Sequence, residues 1–548
     1  MDDRQRAGSR AAGPPSRRWL ALLGLATLLG IRLRFDQIGL QIAADDEWHS
    51  LHAVRDSSLT WILTHFGICD HCVPLTALDW ILAQTVGLSE MGMRALPLAA
   101  GCLSVPLLAW LLRAELGERA SLLFAALLAI APLEVFYSRI ARPYPVVFLL
   151  SLVALLALRR WLRGGGRGWA ASYAVCAALA LWFHLVVLPF VLAPLAWSFL
   201  ACRGHVRSRA AIAGLACVTL LAAALLVGPP LYGDLHSMEQ RSLGGALGFP
   251  DGQVCFELVS GSFRLLLVFS FALALLLGAL VLRHTGNLGT WFLVPSLAQV
   301  LLLAFARPSG IEEPIIFVRY LLPLHGLALV AVALGLERLD RLARDEFPRL
   351  PRELAAFGCC AALYAFGPLP WIQSRPNSWS NALVYQANYE RTFPYAFARG
   401  VLKMEGVPPI YAELARDARP GEVLLEAPNY GASHLSAFPI YQRSHRLPFL
   451  VGFVTPAEVP LPLCEVRADD VRFRFRNALH VLQFDELHTR HVRFVLFHRR
   501  PPASLADALH VDLRYVEQSI RDYKQRFGPP RFEDAQLCVF DLAPDATR

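Results

Sequence analysis

Apolar runs of about 15–20 residues recur along the first two thirds of the chain, and a run of this length matches the hydrocarbon core of a bilayer. Of the 548 residues, 55% are hydrophobic and 18% are charged. Soluble domains average about 45–50% apolar and 25% charged residues. The repeated runs therefore predict a polytopic α-helical membrane protein.

We predict about eleven transmembrane helices. The run 169–201 is too long for a single crossing, because one helix of that length would extend about 50 Å. We therefore split it near His184 to Pro189. The predicted spans are 19–33, 95–112, 120–136, 144–158, 169–184, 185–201, 211–231, 263–282, 290–306, 319–336 and 354–371.

Arginine fixes the predicted orientation. The loops assigned to the inside hold about twenty Arg over roughly 68 residues, about three times the density of the outside loops before residue 320, as the positive-inside rule expects. The basic segment 1–18 and the apolar run after it resemble a signal peptide, but no small-residue cleavage site follows the run, so we expect an uncleaved first span with a cytoplasmic N-terminus. The hydrophilic segments 34–94, 232–262 and 372–548 then lie outside the cytoplasmic (inner) membrane.

The tail, 372–548, has a different pattern from the rest of the chain. Short alternating stretches predict strands and one stretch has helical spacing, which together indicate a soluble C-terminal α/β domain. The predicted strands are 422–426, 492–497 and 536–541, and the predicted helix is 515–527. The predicted organisation is a basic N-terminus (1–18), a transmembrane domain (19–371) and an extracytoplasmic tail domain (372–548).

Three adjacent carboxylates, Asp45, Asp46 and Glu47, lie in the first predicted outer loop. Neighbouring carboxylates repel each other when ionised, which raises the pKa of at least one of them toward the range of a general base. The alternative is a solvated acidic loop without a catalytic role.

Three arginines on the predicted outer side are candidates for binding a phosphate. Arg139 and Arg142 are three residues apart at the predicted start of the fourth span, where they share a helix face and the helix N-terminus attracts anions. Arg319 opens a later span. Snorkelling to lipid headgroups is the alternative for the first pair, and an ion pair with Glu312 or Glu313 is the alternative for Arg319.

These residues resemble motifs of the GT-C glycosyltransferase superfamily, in particular bacterial relatives of dolichyl-phosphate-mannose protein mannosyltransferases and of the aminoarabinose lipid A transferase (glycosyltransferase family 39-like). The chain departs from the family at Ile140, where a Glu is usual, and at His71, which lacks the following Pro. The matching segments are Asp46-Glu47, His71-Cys72-Val73-Pro74-Leu75, Gly87-Leu88-Ser89-Glu90-Met91-Gly92-Met93-Arg94, Ser138-Arg139-Ile140-Ala141-Arg142-Pro143-Tyr144 and Arg319-Tyr320.

The resemblance implies an inverting glycosyltransferase that moves a sugar from a polyprenyl-phosphate donor to an unknown acceptor (protein, lipid or glycan) outside the membrane. Asp46 would be the base, with Asp45 or Glu47 orienting it. The donor phosphate would be held by Arg142, Arg139 and Arg319, with Arg94 and His71 nearby. A divalent metal is compatible with the family, although the missing Glu at position 140 argues against one. Membrane lipid is an expected partner and nucleic acid is not.

Two other function classes stay open: a transporter or flippase of lipid-linked sugars, and a non-catalytic assembly subunit. Against a transporter, the ionisable residues cluster at the outer border, not near the midplane, and no paired repeat is visible. Five cysteines fall in predicted outer segments, where zinc, disulfides and free thiols are alternatives. They are Cys69, Cys72, Cys255, Cys464 and Cys538.

Overall fold

The computed structural model divides the chain into two compact units, which hold most of residues 1–374 and most of residues 391–548. The residues that it describes are 13–36, 38, 47, 50, 53–54, 57–66, 72–201, 207–234, 250–262, 264–284, 288–308, 311–312, 314–346, 354–366, 407–427, 441, 445–451, 454, 463–466, 475–479, 484–499 and 513–542.

The first unit is built from helices. They are α1 (Arg17–Phe35), α2 (Leu59–Thr64), α3 (Val73–Thr85), α4 (Glu90–Ile130), α5 (Pro132–Ser138), α6 (Tyr144–Leu162), α7 (Arg167–Phe183), α8 (Leu188–Leu200), α9 (Arg209–Gly233), α10 (Gly252–Ser260), α11 (Leu265–His284), α12 (Leu288–Ala306), α13 (Pro314–Tyr320), α14 (Leu322–Glu346) and α15 (Leu354–Phe366).

Six of these helices, α4, α6, α9, α11, α12 and α14, are long and apolar enough to cross a membrane. Within α4, Gly117 has a φ of 84°, in the left-handed region, and separates the two spans predicted there. The other predicted spans form α1, α7, α8 and α15. The break predicted in 169–201 is confirmed, because α7 ends at Phe183 and the next residue, His184, has an extended backbone. The polytopic helical architecture is thus confirmed.

Small residues allow α11 and α14 to pack with their backbones close together. A Cβ on Gly278 would meet the carbonyl oxygen of Ala331 at 1.7 Å, and a Cβ on Gly335 would meet that of Ala274 at 1.8 Å. Within a membrane, such small-residue contacts replace the hydrophobic effect as a source of helix association. The pairing fixes α14, which carries part of the candidate site.

Charged and aromatic side chains join α1, α4 and α6 at the end of the bundle opposite the candidate site. Ser16 donates two hydrogen bonds to Glu118, from its backbone N–H and from its hydroxyl, at 2.8 and 2.7 Å. Half-buried Glu115 accepts from Arg159 at 3.1 Å and from Arg163 at 2.9 Å. The Arg113 guanidinium lies 5.5 Å from the Trp19 ring. These contacts hold the three helices in register.

The second unit contains a mixed sheet of seven strands in the order β4-β3-β2-β1-β5-β7-β6. Strand β1 is parallel to β2 and β5, and the other pairings are antiparallel. The strands are β1 (Val423–Ala427), β2 (Phe449–Val451), β3 (Leu463–Val466), β4 (Phe475–Leu479), β5 (Val492–His498), β6 (Phe532–Glu533) and β7 (Leu537–Asp541).

Three further helices belong to this unit: α16 (Ile410–Asp417), α17 (Glu486–Thr489) and α18 (Leu513–Phe527). The apolar side of α18 joins the core through Val516, Ile520 and Tyr523, and the Tyr523 ring lies 5.0 Å from that of Phe497 on β5. The predicted C-terminal α/β domain is confirmed, since β1, β5, β7 and α18 match the predicted elements. Strands β2, β3, β4 and β6 were not predicted.

Candidate active site at a buried arginine cluster

Four buried arginines lie where α1, α4, α5 and α6 begin or end. Arg34 is in the last turn of α1 and Arg94 is near the start of α4, and both are fully buried at 0% exposure. Arg139 follows α5 and Arg142 lies in the turn before α6; both are also buried. Ionisable residues buried in a membrane protein are costly and usually functional. We call these four residues the arginine cluster.

Contacts across the helix ends bring the cluster together. The Arg34 guanidinium donates to the hydroxyl of Ser138 at 3.2 Å and to the carbonyl oxygens of Leu128 and Ala129 at 3.3 Å. In return, Arg139 donates to the carbonyl oxygen of Leu33 at 3.1 Å. These bonds attach the end of α1 to the end of α4 and to the end of α5.

The electrostatics around Arg139 favour a bound anion. Burial and repulsion from Arg94 lower the pKa of Arg139 to about 10, and the attraction of Asp36 does not offset them. An anion placed beside Arg94 and Arg139 would relieve their repulsion.

The prediction that Arg139 and Arg142 share a helix face was wrong. Helix α5 ends at Ser138 and α6 begins at Tyr144, so both arginines lie in the turn between them. Pro143 is the cause, since a residue that precedes proline is driven away from helical backbone angles. The N–H of Arg142 instead donates to the carbonyl oxygen of Ile140 at 2.7 Å, which gives a tight turn.

Arg319 also lies elsewhere than predicted: in the last turn of α13, whereas the long helix α14 begins at Leu322. Pro323 prevents one continuous helix, because its ring would clash with the carbonyl of residue 319. The Arg319 guanidinium lies 5.5 Å from the Tyr144 ring and 5.2 Å from that of Tyr320. Since Tyr144 follows Arg142 by two residues, the structure brings Arg319 to the same turn.

Aromatic rings continue from this arginine into the bundle. The His184 ring lies 5.8 Å from Tyr144 and 5.6 Å from Tyr320, and Tyr137 lies 5.1 Å from Tyr144. The Gln299 amide donates to the backbone carbonyl of Tyr320 at 3.2 Å. The rings form a rigid wall at Arg319 and restrict the directions that its guanidinium can take.

A buried acid and a histidine, which sequence analysis missed, join α5 to α14. The Oε1 atom of Glu134 and Nδ1 of His325 are 3.0 Å apart, and both side chains are buried. Glu134 also stabilises the charge of Arg34, and its backbone carbonyl accepts from the Ser138 hydroxyl at 2.5 Å. The pair therefore supports the turn that carries Arg139. Charged residues inside apolar runs were the sequence signal that could have identified Glu134 and His325 as functional. No pattern in the sequence indicated that these two residues contact each other.

The predicted acidic motif is described only in part. Glu47 is buried and belongs to the second unit, whereas the arginine cluster belongs to the first. Asp45, Asp46 and His71 lie outside the described residues. Within the described ranges no three His, Cys, Asp or Glu side chains gather as metal ligands, and we assign no metal to the site. Of the five cysteines in predicted outer segments, Cys72, Cys255 and Cys538 are buried.

Gly101 of α4 allows the arginine cluster to pack, because a Cβ there would lie 2.0 Å from the Ser138 hydroxyl and 3.2 Å from the Arg34 guanidinium. We therefore expect Gly101→Ala to displace Ser138 and destabilise the protein by about 1–3 kcal/mol, the usual cost of overpacking. The measurement is the thermal unfolding midpoint in detergent.

Gly24→Ala is the matched control for this prediction. Gly24 is also inside a helix, but a Cβ there meets nothing within 4 Å. Alanine in a helix interior is favoured over glycine by roughly 0.5–1 kcal/mol, so this variant should melt at the same temperature or higher. An unchanged midpoint for Gly101→Ala would contradict the tight packing described here.

No protein-family model matches the chain, and no curated protein matches it. Solved structures are similar at low identity. ArnT from Cupriavidus metallidurans, in the apo state, is 13% identical with a TM-score of 0.49; the match covers 95% of this chain and 97% of that one. The oligosaccharyltransferase of Archaeoglobus fulgidus is 15% identical with a TM-score of 0.42, over 91% and 70% of the two chains.

The arabinofuranosyltransferase AftD from Mycobacteria is 15% identical with a TM-score of 0.48. The match covers 97% of this chain but 42% of AftD, so the chain spans less than half of that protein's length. Because all three likenesses are distant, we argue the function from the residues of the site.

Proposed function

We propose that the protein is an inverting membrane glycosyltransferase that moves a sugar from a polyprenyl-phosphate donor to an acceptor on the outer face of the cytoplasmic membrane. The observation that supports this best is the buried arginine cluster together with Arg319, at one end of a membrane-crossing helix bundle. A phosphate attached to a lipid suits this place, because the arginines balance its charge while its tail stays in the bilayer.

In this proposal the arginines act on the leaving group. Asp46 removes the proton of the acceptor hydroxyl or amine, and the acceptor atom attacks the anomeric carbon from the face opposite the phosphate. The bond from that carbon to the phosphate oxygen breaks, its electron pair stays on the phosphate, and the configuration inverts. Arg142, Arg139 and Arg319 stabilise the growing charge, and Arg94 raises the local positive potential. Asp45 or Glu47 orients Asp46.

Incubation of the purified protein with radiolabelled polyprenyl-phosphate sugars and with envelope extracts as acceptors tests the proposal. We expect label to move from the lipid to an extract component. Movement of intact labelled lipid across proteoliposomes without transfer would identify a flippase instead. If neither transfer nor movement is seen, the remaining class is the non-catalytic assembly subunit.

The proposed orientation gives a separate prediction. Because the Arg-rich segment 337–353 precedes the last predicted span, we expect the tail to lie outside the cytoplasm. Alkaline phosphatase, which needs an oxidising compartment, should be active when it is fused after Arg548. The same reporter fused after Arg167, in a predicted inside loop, should be inactive. The reverse pattern would refute the eleven-span orientation.

A further inference from the structure

A second polar cluster lies in the tail unit, where the parallel strands β1 and β5 end. Glu426 is the fourth residue of β1, and His498 is the last residue of β5. The chain adds β2, β3 and β4 on one side of β1 and then returns to place β5 on its other side, so the strand order reverses between β1 and β5. Ligands of open α/β sheets bind at the carboxyl ends of strands at such a switch point.

One carboxylate oxygen of this cluster already has hydrogen-bond donors. Tyr411 donates its hydroxyl to Oε2 of Glu426 at 2.8 Å, and Nε2 of His498 donates to the same atom at 2.7 Å. The Tyr411 hydroxyl oxygen and Nε2 of His498 are 3.2 Å apart. Glu426 is fully buried, at 0% exposure. The carboxylate is thus held in one orientation by two neighbours.

The second oxygen of that carboxylate has no such donor. Among the described residues, Oε1 of Glu426 is buried without a hydrogen-bond partner. A buried polar atom left unsatisfied costs about 1–3 kcal/mol. An apolar side chain would have avoided this cost in a strand whose neighbours are apolar, so the free oxygen indicates a group that is supplied from outside.

His445 supplies a second unsatisfied group beside Tyr411, on which its ring stacks at 5.6 Å. The Nδ1 atom of His445 accepts from the N–H of Leu447 at 3.1 Å, so the neutral ring carries its proton on Nε2. Burial lowers the pKa of His445 to about 3, which keeps the ring neutral. Among the described residues this Nε2 has no acceptor.

Stacked rings border the two unsatisfied groups. The Tyr441 ring lies 4.6 Å from that of Tyr411 and 5.7 Å from that of His498, with the second pair parallel to within 5°. Tyr441 is half-buried and His498 is 8% exposed, so these two are the least buried members of the cluster.

We propose that Tyr411, Glu426, Tyr441, His445 and His498 form a binding site for a neutral, hydroxyl-bearing ligand, of which a pyranose sugar is the simplest. A sugar offers hydroxyls that donate to the free carboxylate oxygen and accept from the free imidazole N–H. Its C–H face packs on aromatic rings. The buried carboxylate disfavours anionic ligands. The site does not depend on the proposed transfer reaction, because none of its five residues has a role in that reaction.

Ligand-observed NMR on the full-length protein in detergent tests this proposal. The probes are the methyl glycosides of glucose, mannose and galactose, with glucose 1-phosphate and glucosamine for comparison. We expect at least one methyl glycoside to bind with a Kd of about 1 mM or tighter and the phosphate ester to bind at least tenfold more weakly.

Glu426→Gln should weaken glycoside binding at least tenfold, because it removes the charge and one of the two acceptor oxygens. The matched control is Glu413→Gln, an exposed residue of α16 two positions from Tyr411, which should bind as the unchanged protein does. Tyr441→Leu, at a half-buried position, should also weaken binding and decides the matter if Glu426→Gln fails to fold.

Three results would overturn the proposal. One is that no methyl glycoside binds, which leaves a buried water as the partner of Glu426. Another is that glycosides bind with the same affinity to the Glu426 and Tyr441 variants. The third is that only glucosamine binds, which makes an ammonium group the ligand. Because the readout is binding and the Glu426 and Tyr441 variants assign it to the tail, it stays informative even if sugar transfer is absent.

Discussion

Replacing Asp46 with Asn is expected to lower kcat for sugar transfer by about 10²–10⁴, the usual effect of losing a general base. Asparagine keeps the size of the side chain and one hydrogen-bond acceptor but takes up no proton. In our proposal the donor phosphate is held by arginines, so the affinity for the donor should stay nearly unchanged. The measurement is the transfer rate and the donor Kd in detergent, with folding checked by thermal unfolding.

Asp45→Asn is the matched comparison, one residue away and with the same change of charge. Its loss of rate should be smaller, because a flanking carboxylate acts on Asp46 through its pKa and orientation. If Asp45→Asn abolishes transfer and Asp46→Asn does not, the base is Asp45. If neither variant loses activity, the acidic stretch is a solvated loop and the transferase proposal loses its base.

The helices were predictable because the length of an apolar run is a direct physical requirement for crossing a bilayer. The break near His184 followed from length, since one helix over 169–201 exceeds the thickness of the membrane, and from the placement of the Arg-rich loop 202–210 on the inside. Strands β1, β5 and β7 were found for a similar reason. Each is an almost continuous apolar stretch buried in the sheet.

The turn at Arg139 and Arg142 was predicted wrongly because helical spacing was assumed for residues that directly precede a proline. Pro143 directly precedes α6 and Pro323 is the second residue of α14, positions where proline is tolerated, and each ends the helical geometry of the residues before it. Giving more weight to these prolines would have placed both Arg142 and Arg319 outside the long helices.

The partners of buried charges were not predictable. Glu134 and His325 are 191 residues apart in sequence, and only the packing of α5 against α14 brings them together. Arg34 was assigned to a hydrophilic outer loop, although it is buried against the carbonyl oxygens at the end of α4. The same holds for Glu426 and His498 in the tail, which are joined through the parallel pairing of β1 and β5.

Arg142→Ala is expected to lower the rate of transfer by roughly 10²–10³, the cost of removing one preorganised charge-assisted hydrogen bond from a water-poor site. Arg142→Lys should lose less, because lysine keeps the charge and loses only the bidentate fork of the guanidinium. Unlike Asp46→Asn, both variants should also weaken donor binding, since the phosphate is charged in the ground state as well as in the transition state. The measurements are donor Kd and kcat in detergent.

The control is Arg167→Ala, which removes an exposed arginine at the start of α7, the end of that helix opposite His184. It changes the net charge by the same amount and should leave both constants unchanged. If Arg142→Ala also leaves them unchanged, Arg142 binds a lipid headgroup by snorkelling and not the donor. Phosphate binding would then be assigned to Arg139 and Arg319. The variant Arg319→Ala, which removes the cation beside Tyr144 and Tyr320, would show which of these two arginines binds the phosphate.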